Sequence, residues 1–529
     1  MQKKFVVAML IGFLFDCSER KSPEAATNYL RYFIAATPAS LDPATANDQS
    51  YYQIAFNMLE TLIAVNWQTG ALEPMLATSW QPDALHRRWT FVLRRDVFFH
   101  DGSRLNAAAV KVSLERQFLP DSPYYHPKLT DQYRTAAFDM VQEILTPNDS
   151  TVQFLLKYPY AAFLDNLASP YYATVVSPQA LATYGKDFGR HPIGTGPFAF
   201  MRWDSTDQKI VIKKNTHYWR ETAQLDSVVF QVVPILEARI NALQQDQAEV
   251  ISNLSAAGVS SFNEDTCITL IAEPSLATVI LGMKNQKPPF NNLKTRKALA
   301  HAINREYIVN TLGRGLSTLA QGVFSPRLAY FDSILTALPY DTVQTKILLQ
   351  NSDKQQPILQ IGYYSDTDSL RGSPLIQEIF YELMQAGIPT KIRAYTNWEK
   401  YEAEVLEGDS ENLFLLSRLS FTRHPDNFLY SLFHSQSSQN FLNYRSPVVD
   451  ALLLQARHTN NVDTQQRLYR RVQEIVLQEV PAIFINHPKI VYAIRSRVKN
   501  FHTTPLGIPQ LTAVKLAQPP RAVKPKFLW

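Results

Sequence analysis

A chain of 529 residues is too long for one ordinary hydrophobic core, so two or three domains are expected. Its 46% apolar and 12% aromatic residues can fill those cores, which excludes a disordered chain. The 52 basic and 47 acidic residues leave a net charge of +5 with no basic block, which argues against nucleic acid as a partner.

Lys3 and Lys4 precede an apolar run, Phe5–Phe15, and Cys17 follows. This is the layout of an export signal, too short to span a bilayer as a stable helix. A cysteine just after such a run is similar to the lipid-attachment site of bacterial lipoproteins, with Leu14 three residues before it, although Asp16 stands where that pattern wants Gly, Ala or Ser. The expectation is export, with Cys17 as the lipid-attachment residue. The other cysteine is Cys267, so lipidation of Cys17 leaves no intrachain disulfide and makes Cys267 a buried or idle thiol. No second apolar run approaches membrane length.

Beyond the leader, Asp42-Pro43 marks a turn and Tyr52–Leu62 a predicted helix, with Ile54, Asn57, Met58 and Leu62 near one face. Trp89, Phe91 and Leu93 alternate with Thr90 and Val92, and Val97 and Phe99 with Asp96 and Phe98, the period of a half-buried strand pair. Asp101-Gly102 turns the chain. Asn106 suits the N-cap of a helix that places Ala107, Val110, Leu114 and Phe118 near one face. His100 and Asp101 read as a turn rather than a metal or acid–base pair, since no third ligand is spaced nearby. Leu119–Tyr133, rich in Pro and Tyr, reads as an irregular excursion, and Thr151–Leu156 as a strand. Pro192–Phe200, PIGTGPFAF, is a rigid turn entering a strand; it lacks the lysine of a phosphate-binding loop. Leu236, Ile240 and Leu243 have helical spacing.

In the second half, Leu281–Arg305 reads as a strand, a loop and a helix, with Leu299, Ala302, Ile303 and Tyr307 on one face and Gly313 closing it. His301 falls among polar positions. Strand Leu359–Tyr363, helix Ile376–Met384, strand Lys391–Ala394 and strand Asn412–Leu416 give an α/β alternation. Ser446-Pro447 starts a helix. Asp463 and Gln466 are similar to a capping box before Leu468, Val472, Ile475 and Val476, and Pro481 ends that helix. Ala482–Ile494 reads as two closing strands, and the tail from Gln518, rich in Pro and Lys, as frayed.

Several of these segments, in this order, resemble the signature of the bacterial extracellular solute-binding proteins of family 5, which serve ABC importers of peptides, nickel and related solutes. Trp89, Phe91, Leu93, Arg94, Val97, Phe99, Asp101 and Gly102 stand at a W, an F-x-L-R and a V-x-F-x-D-G, followed by a helix in which Ala109 replaces a usual acidic residue. Leu41-Asp42-Pro43, the group Asn57, Leu59, Glu60 and Leu62, and the group Leu72, Pro74, Leu76, Ala77 and Trp80 match as well. So do Gly194-Thr195-Gly196-Pro197-Phe198, an N-x-x-Y-W at Asn215, Tyr218 and Trp219 continued by Leu225-Asp226, a K-P-P-F at Lys287–Phe290 and an R-x-A-L-x-x-A-I at Arg296–Ile303. Asp246 stands where the family normally ends a helix with Gly.

The resemblance implies a bilobed α/β periplasmic-binding-protein fold of the class with an extra domain, three α/β domains around a ligand cleft, with the solute trapped between lobes that close about a hinge. Residues 28–70, 189–276 and 489–520 would form a discontinuous domain I, residues 71–188 domain II, residues 277–488 the second lobe as domain III, and residues 521–529 a tail. Peptide-binding relatives carry a W-x-x-D before a D-P or E-P, whose Asp pairs with the peptide ammonium. Aligned on Pro425-Asp426-Asn427-Phe428, Arg418 takes the Trp slot and Phe421 the Asp slot; Leu419, Ser420, Thr422 and Arg423 are not acidic, and Asp426 is the nearest acid. Trp398, Arg418, Ser420 and Phe421 would line one wall and the loop Asn47–Tyr52, with Tyr51 and Tyr52, the other. Either Arg418 is solvated and Phe421 is core, or a cation and aromatics suit a carboxylate-bearing, N-blocked or modified peptide, or a non-peptide solute. The implied partners are that small-molecule or peptide ligand and ABC permease subunits. The protein would be a monomer without cofactor, in the periplasm or at the outer face of the cytoplasmic membrane. Against an enzyme, the chain holds no H-E-x-x-H, no G-x-S-x-G and no Cys–His nucleophile arrangement. A nickel-type receptor and a sensory or adaptor protein reusing the fold remain as alternatives. For nickel, His424 and His434 lack a chelating spacing.

Overall fold

A computed structural model describes residues 28–46, 48–125, 136–262, 265–350, 358–364 and 373–517 of the protein. The export signal with Cys17, the later part of the Leu119–Tyr133 excursion and the tail from Gln518 lie outside the described residues.

Two parallel cores share one twelve-stranded sheet. In the first, Tyr29–Ile34 runs parallel to Ser227–Val232 on one side and Val250–Ser252 on the other, with Lys209–Lys214 and Phe198–Asp204 added antiparallel at the edge. Leu30, Tyr32 and Ile34 are fully buried, as expected of a strand with neighbours on both sides. In the second, Leu359–Tyr364 lies between the parallel strands Thr390–Tyr395 and Leu413–Leu419, and Leu413–Leu419 pairs antiparallel with Ala277–Met283. A separate antiparallel sheet orders Ala77–Pro82, Arg88–Leu93, Thr151–Leu156 and Val141–Asn148. Trp89, Phe91 and Leu93 point into its core while Val92 faces out, the alternation read from the sequence. The α/β architecture expected from the alternation of elements is therefore present.

Local corrections have physical causes. Ala482–Arg495 is one fourteen-residue strand, not two. Its first half pairs with Ala277–Met283 and its second with Val250–Ser252 and Ile268–Pro274, so it stitches both cores together. The helix predicted over Tyr52–Leu62 is Gln49–Ala55, capped by Asp48. It stops because the next carbonyls are claimed from outside, with Gly196 N–H donating to Met58 O at 2.9 Å and Phe198 N–H to Asn57 O at 3.1 Å. Val97 and Phe99 are buried but belong to a turn stretch, not a strand. The helix after Lys287–Phe290 ends at Ala302, and a separate turn, Arg305–Tyr307, passes into a π-helical turn before Gly313, whose φ is −71°. The last long helix, Val462–Glu479, is capped by Asn461 rather than by a box from Asp463. Cys267 is exposed. Asp246 does take the left-handed conformation, with φ of 60°, and Arg497, Arg495 and Arg31 surround its carboxylate.

Candidate functional site

Glu60 gathers three of the sequence motifs. Its carboxylate is buried and accepts from Thr195 Oγ1 at 2.7 Å, Tyr218 OH at 2.7 Å and Trp219 Nε1 at 3.0 Å. Burial holds the carboxyl above the usual range, while the three donors pull the other way. Gly194 and Gly196 let the loop lie against Met58, since a Cβ at either position would stand 2.3 or 2.7 Å from Met58 backbone atoms. His100 joins this node through Nδ1, which accepts from Gly194 N–H at 3.3 Å, and Nε2, which donates to Gly196 O at 3.0 Å. Burial pushes its pKa down to about 4, so the ring is a neutral strut between the two glycines. Asp42, from another motif, is locked by Arg116 through two bonds of 2.7 and 2.6 Å, both side chains being buried. The Glu60 node thus fixes the Asn57–Glu60 segment that follows the buried helix carrying Tyr51 and Tyr52.

Strand direction singles out the crossover as the candidate site. The long strand enters the first core at Lys489, and Ser252 pairs with Tyr492 while Val250 pairs with Ile494. The carboxyl end of Val250–Ser252 therefore faces the crossover. In the second core Leu419 pairs with Ala277, just past the other crossover at Ser275–Leu276. Both sets of parallel strands thus point their carboxyl ends at the hinge from opposite sides, and ligands of open α/β sheets bind at such ends. Ser275 N–H donates to Pro488 O at 3.2 Å, tying the two crossing strands.

The predicted lining residues fall as follows. Tyr51 and Tyr52 are buried in the helix Gln49–Ala55, with ring centroids 5.3 Å apart; Asn47 lies outside the described residues. Tyr52 lies 5.4 Å from Tyr171, and Tyr171 stacks on Phe421 of the second lobe at 3.7 Å and 13°. Phe421 N–H donates to Asn427 Oδ1 at 3.0 Å, and Phe421 O accepts from Ser169 Oγ at 2.6 Å. Ser420 is fully buried and donates to Thr422 O at 2.8 Å, so its hydroxyl shapes the loop that carries Phe421. Arg418 is not solvated: it is 5% exposed and donates to Ser431 Oγ at 2.9 Å and Gln439 Oε1 at 2.6 Å. Trp398 is 37% exposed, edge-on to Tyr364 at 5.5 Å, past the carboxyl end of Thr390–Tyr395. Asp426 is 2% exposed. It accepts from Tyr160 OH at 2.7 Å and pairs with Arg457 Nε at 3.2 Å, so it does not replace an acid at the Phe421 position. Among the described residues no group of three or more His, Cys, Asp and Glu could hold a metal. Tyr171 and Tyr172 went unnoticed in the sequence, because no spacing distinguishes them from core aromatics.

The model of the bacterial extracellular solute-binding proteins, family 5 Middle, matches residues 71–440. A glutathione-binding protein GsiB of Salmonella choleraesuis (strain SC-B67) is 31% identical over 474 residues, covering 88% of this chain and 90% of that protein. Among solved structures, the periplasmic binding protein DppA from Helicobacter pylori in complex with peptide STSA superposes with a TM-score of 0.82 at 26% identity, over 93% of this chain and 98% of that one. A dipeptide binding protein from pseudoalteromonas sp. SM9913 in complex with Met-Leu gives 0.81 at 24% identity, over 92% and 100%.

Proposed function

The chain belongs to the bacterial extracellular solute-binding proteins of family 5, and from that premise we propose that it is an extracytoplasmic, non-enzymatic receptor delivering a peptide or peptide-like solute to an ABC importer by lobe closure. What supports this reading is that two sets of parallel strands turn their carboxyl ends to one crossover, with the ring chain Tyr52–Tyr171–Phe421 beside it; Tyr51, Tyr52, Trp398, Arg418, Ser420 and Phe421 are the lining residues of the proposal. A relative named for glutathione binding and a similar structure in complex with peptide STSA support the solute class. The domain division at residues 71, 189, 277 and 489, the monomeric state and a lipid anchor at Cys17 belong to the same proposal. Intact-mass measurement of the membrane fraction tests the anchor: an uncleaved N-terminus refutes export, and cleavage elsewhere refutes lipidation alone.

An unpaired ammonium in a closed cleft costs several kcal/mol. In the resemblance to peptide-binding relatives Phe421 stands in the slot of the acid that holds that ammonium, and Asp426 is committed to Tyr160 and Arg457. The solute is therefore one whose amine is blocked, shifted or absent. Calorimetry against free and N-acetylated di- to pentapeptides and against glutathione decides this. Micromolar binding that vanishes on N-acetylation overturns the missing anchor, and no binding at all favours a non-peptide solute. A rise in melting temperature with nickel would favour the metal alternative.

A further inference from the structure

The two lobes also touch each other directly, through one segment from each. In the first lobe this is Tyr160–Tyr172; in the second it is Phe421–Asn427 together with Arg457. Tyr160 OH donates to Asp426 Oδ2 at 2.7 Å and Ala161 N–H donates to Arg457 O at 2.8 Å. Asp165 Oδ1 pairs with Arg423 Nε at 2.7 Å, the side chains being 7% and 27% exposed. Asn427 Nδ2 donates to Tyr172 OH at 2.8 Å, beside the Tyr171–Phe421 stack. Arg457 lies over Tyr160 at 4.9 Å and over Tyr430 of its own lobe at 3.7 Å. None of these contacts needs a solute, and most join groups that are nearly dry, where a charged hydrogen bond is strongest.

We propose that this contact is a lobe-to-lobe latch, with Asp165, Arg423, Tyr160 and Asp426 acting as positioning residues that favour the closed receptor without touching solute. The inference goes beyond the solute reading and does not depend on which molecule binds. A two-state hinge responds to any contact made only in one state. Groups that join the lobes directly therefore raise the closed fraction before solute arrives, and the intrinsic affinity of the cleft is discounted less.

The test uses the mature chain freed of solute by unfolding, dialysis and refolding, with small-angle scattering as the readout. Asp165→Asn and Arg423→Gln are each expected to enlarge the radius of gyration of the stripped protein. The exchange Asp165→Arg with Arg423→Asp should bring it back toward the wild-type value, and the radius should change even in variants whose melting temperature does not, which a merely structural role would not give. Tyr160→Phe, which removes a single hydroxyl, repeats the measurement if the charge variants do not fold. Expansion by about a tenfold shift of the open–closed ratio supports the latch. Stripped wild type and all variants sharing one radius, open or closed, overturns it.

Discussion

Glu60 joins three separate sequence motifs through its buried carboxylate, and its role was only half legible. The sequence contained Glu60, Thr195, Tyr218 and Trp219 as separate motif positions, but nothing in their spacing says that they meet, because the meeting is made by tertiary packing. Gly194→Ala should lower stability by about 2 kcal/mol or more, since the new Cβ would collide with backbone rather than with a side chain that can move; chemical denaturation measures it. His487 gives a pH dependence with a definite sign. It is 3% exposed, Thr278 Oγ1 lies 3.1 Å from its Nδ1, and burial pushes its pKa from 6.5 down to about 4. The unfolded chain takes up the proton first, so stability present above pH 6.5 is lost between 6.5 and about 4, by roughly 3 kcal/mol at most. The pKa of His100 is depressed in the same way and adds a like loss, so urea unfolding at pH 7 and pH 5 should show a fall in stability of which His487→Asn removes the His487 share and leaves the rest.

At the scale of elements, the sequence predicted strands by alternation and helices by face with good fidelity, and went wrong where a backbone group is claimed by a distant segment. Tyr52–Leu62 has helical periodicity over its whole length, yet the helix ends at Ala55 because the Gly194–Phe198 loop takes the following carbonyls. Asp246 stands where the resemblance has Gly, and its backbone is left-handed. What the sequence could not reveal is the compensation: Arg497, Arg495 and Arg31 converge on its carboxylate and hold its pKa below the usual range. Asp246→Gly therefore relaxes the backbone and strands three arginines near Glu249. We expect a net change within about 1 kcal/mol, because the acid is 48% exposed and exposed pairs contribute little. A loss above about 2 kcal/mol by thermal denaturation would show that the cluster acts as a unit.

For the whole molecule, the bilobed α/β plan was legible from the order of motifs, and the chemistry of the cleft was not. Arg418 and Phe421 could be found as departures from a pattern, but the burial of Arg418 and the Tyr171 partner of Phe421 follow only from tertiary packing. Because Ala482–Arg495 belongs to both cores, thermal unfolding should be a single calorimetric transition, and two resolved transitions would count against the coupling. That strand also acts as a common clock for the two lobes. Side chains along a strand alternate faces with a period of two, so a single residue inserted between His487 and Pro488 would put every following position out of phase. Tyr492 and Ile494 would trade their interior side for that of Val491 and Ala493, and the first lobe would lose its parity with the second. Deletions and insertions in this stretch should therefore be tolerated in pairs far better than singly.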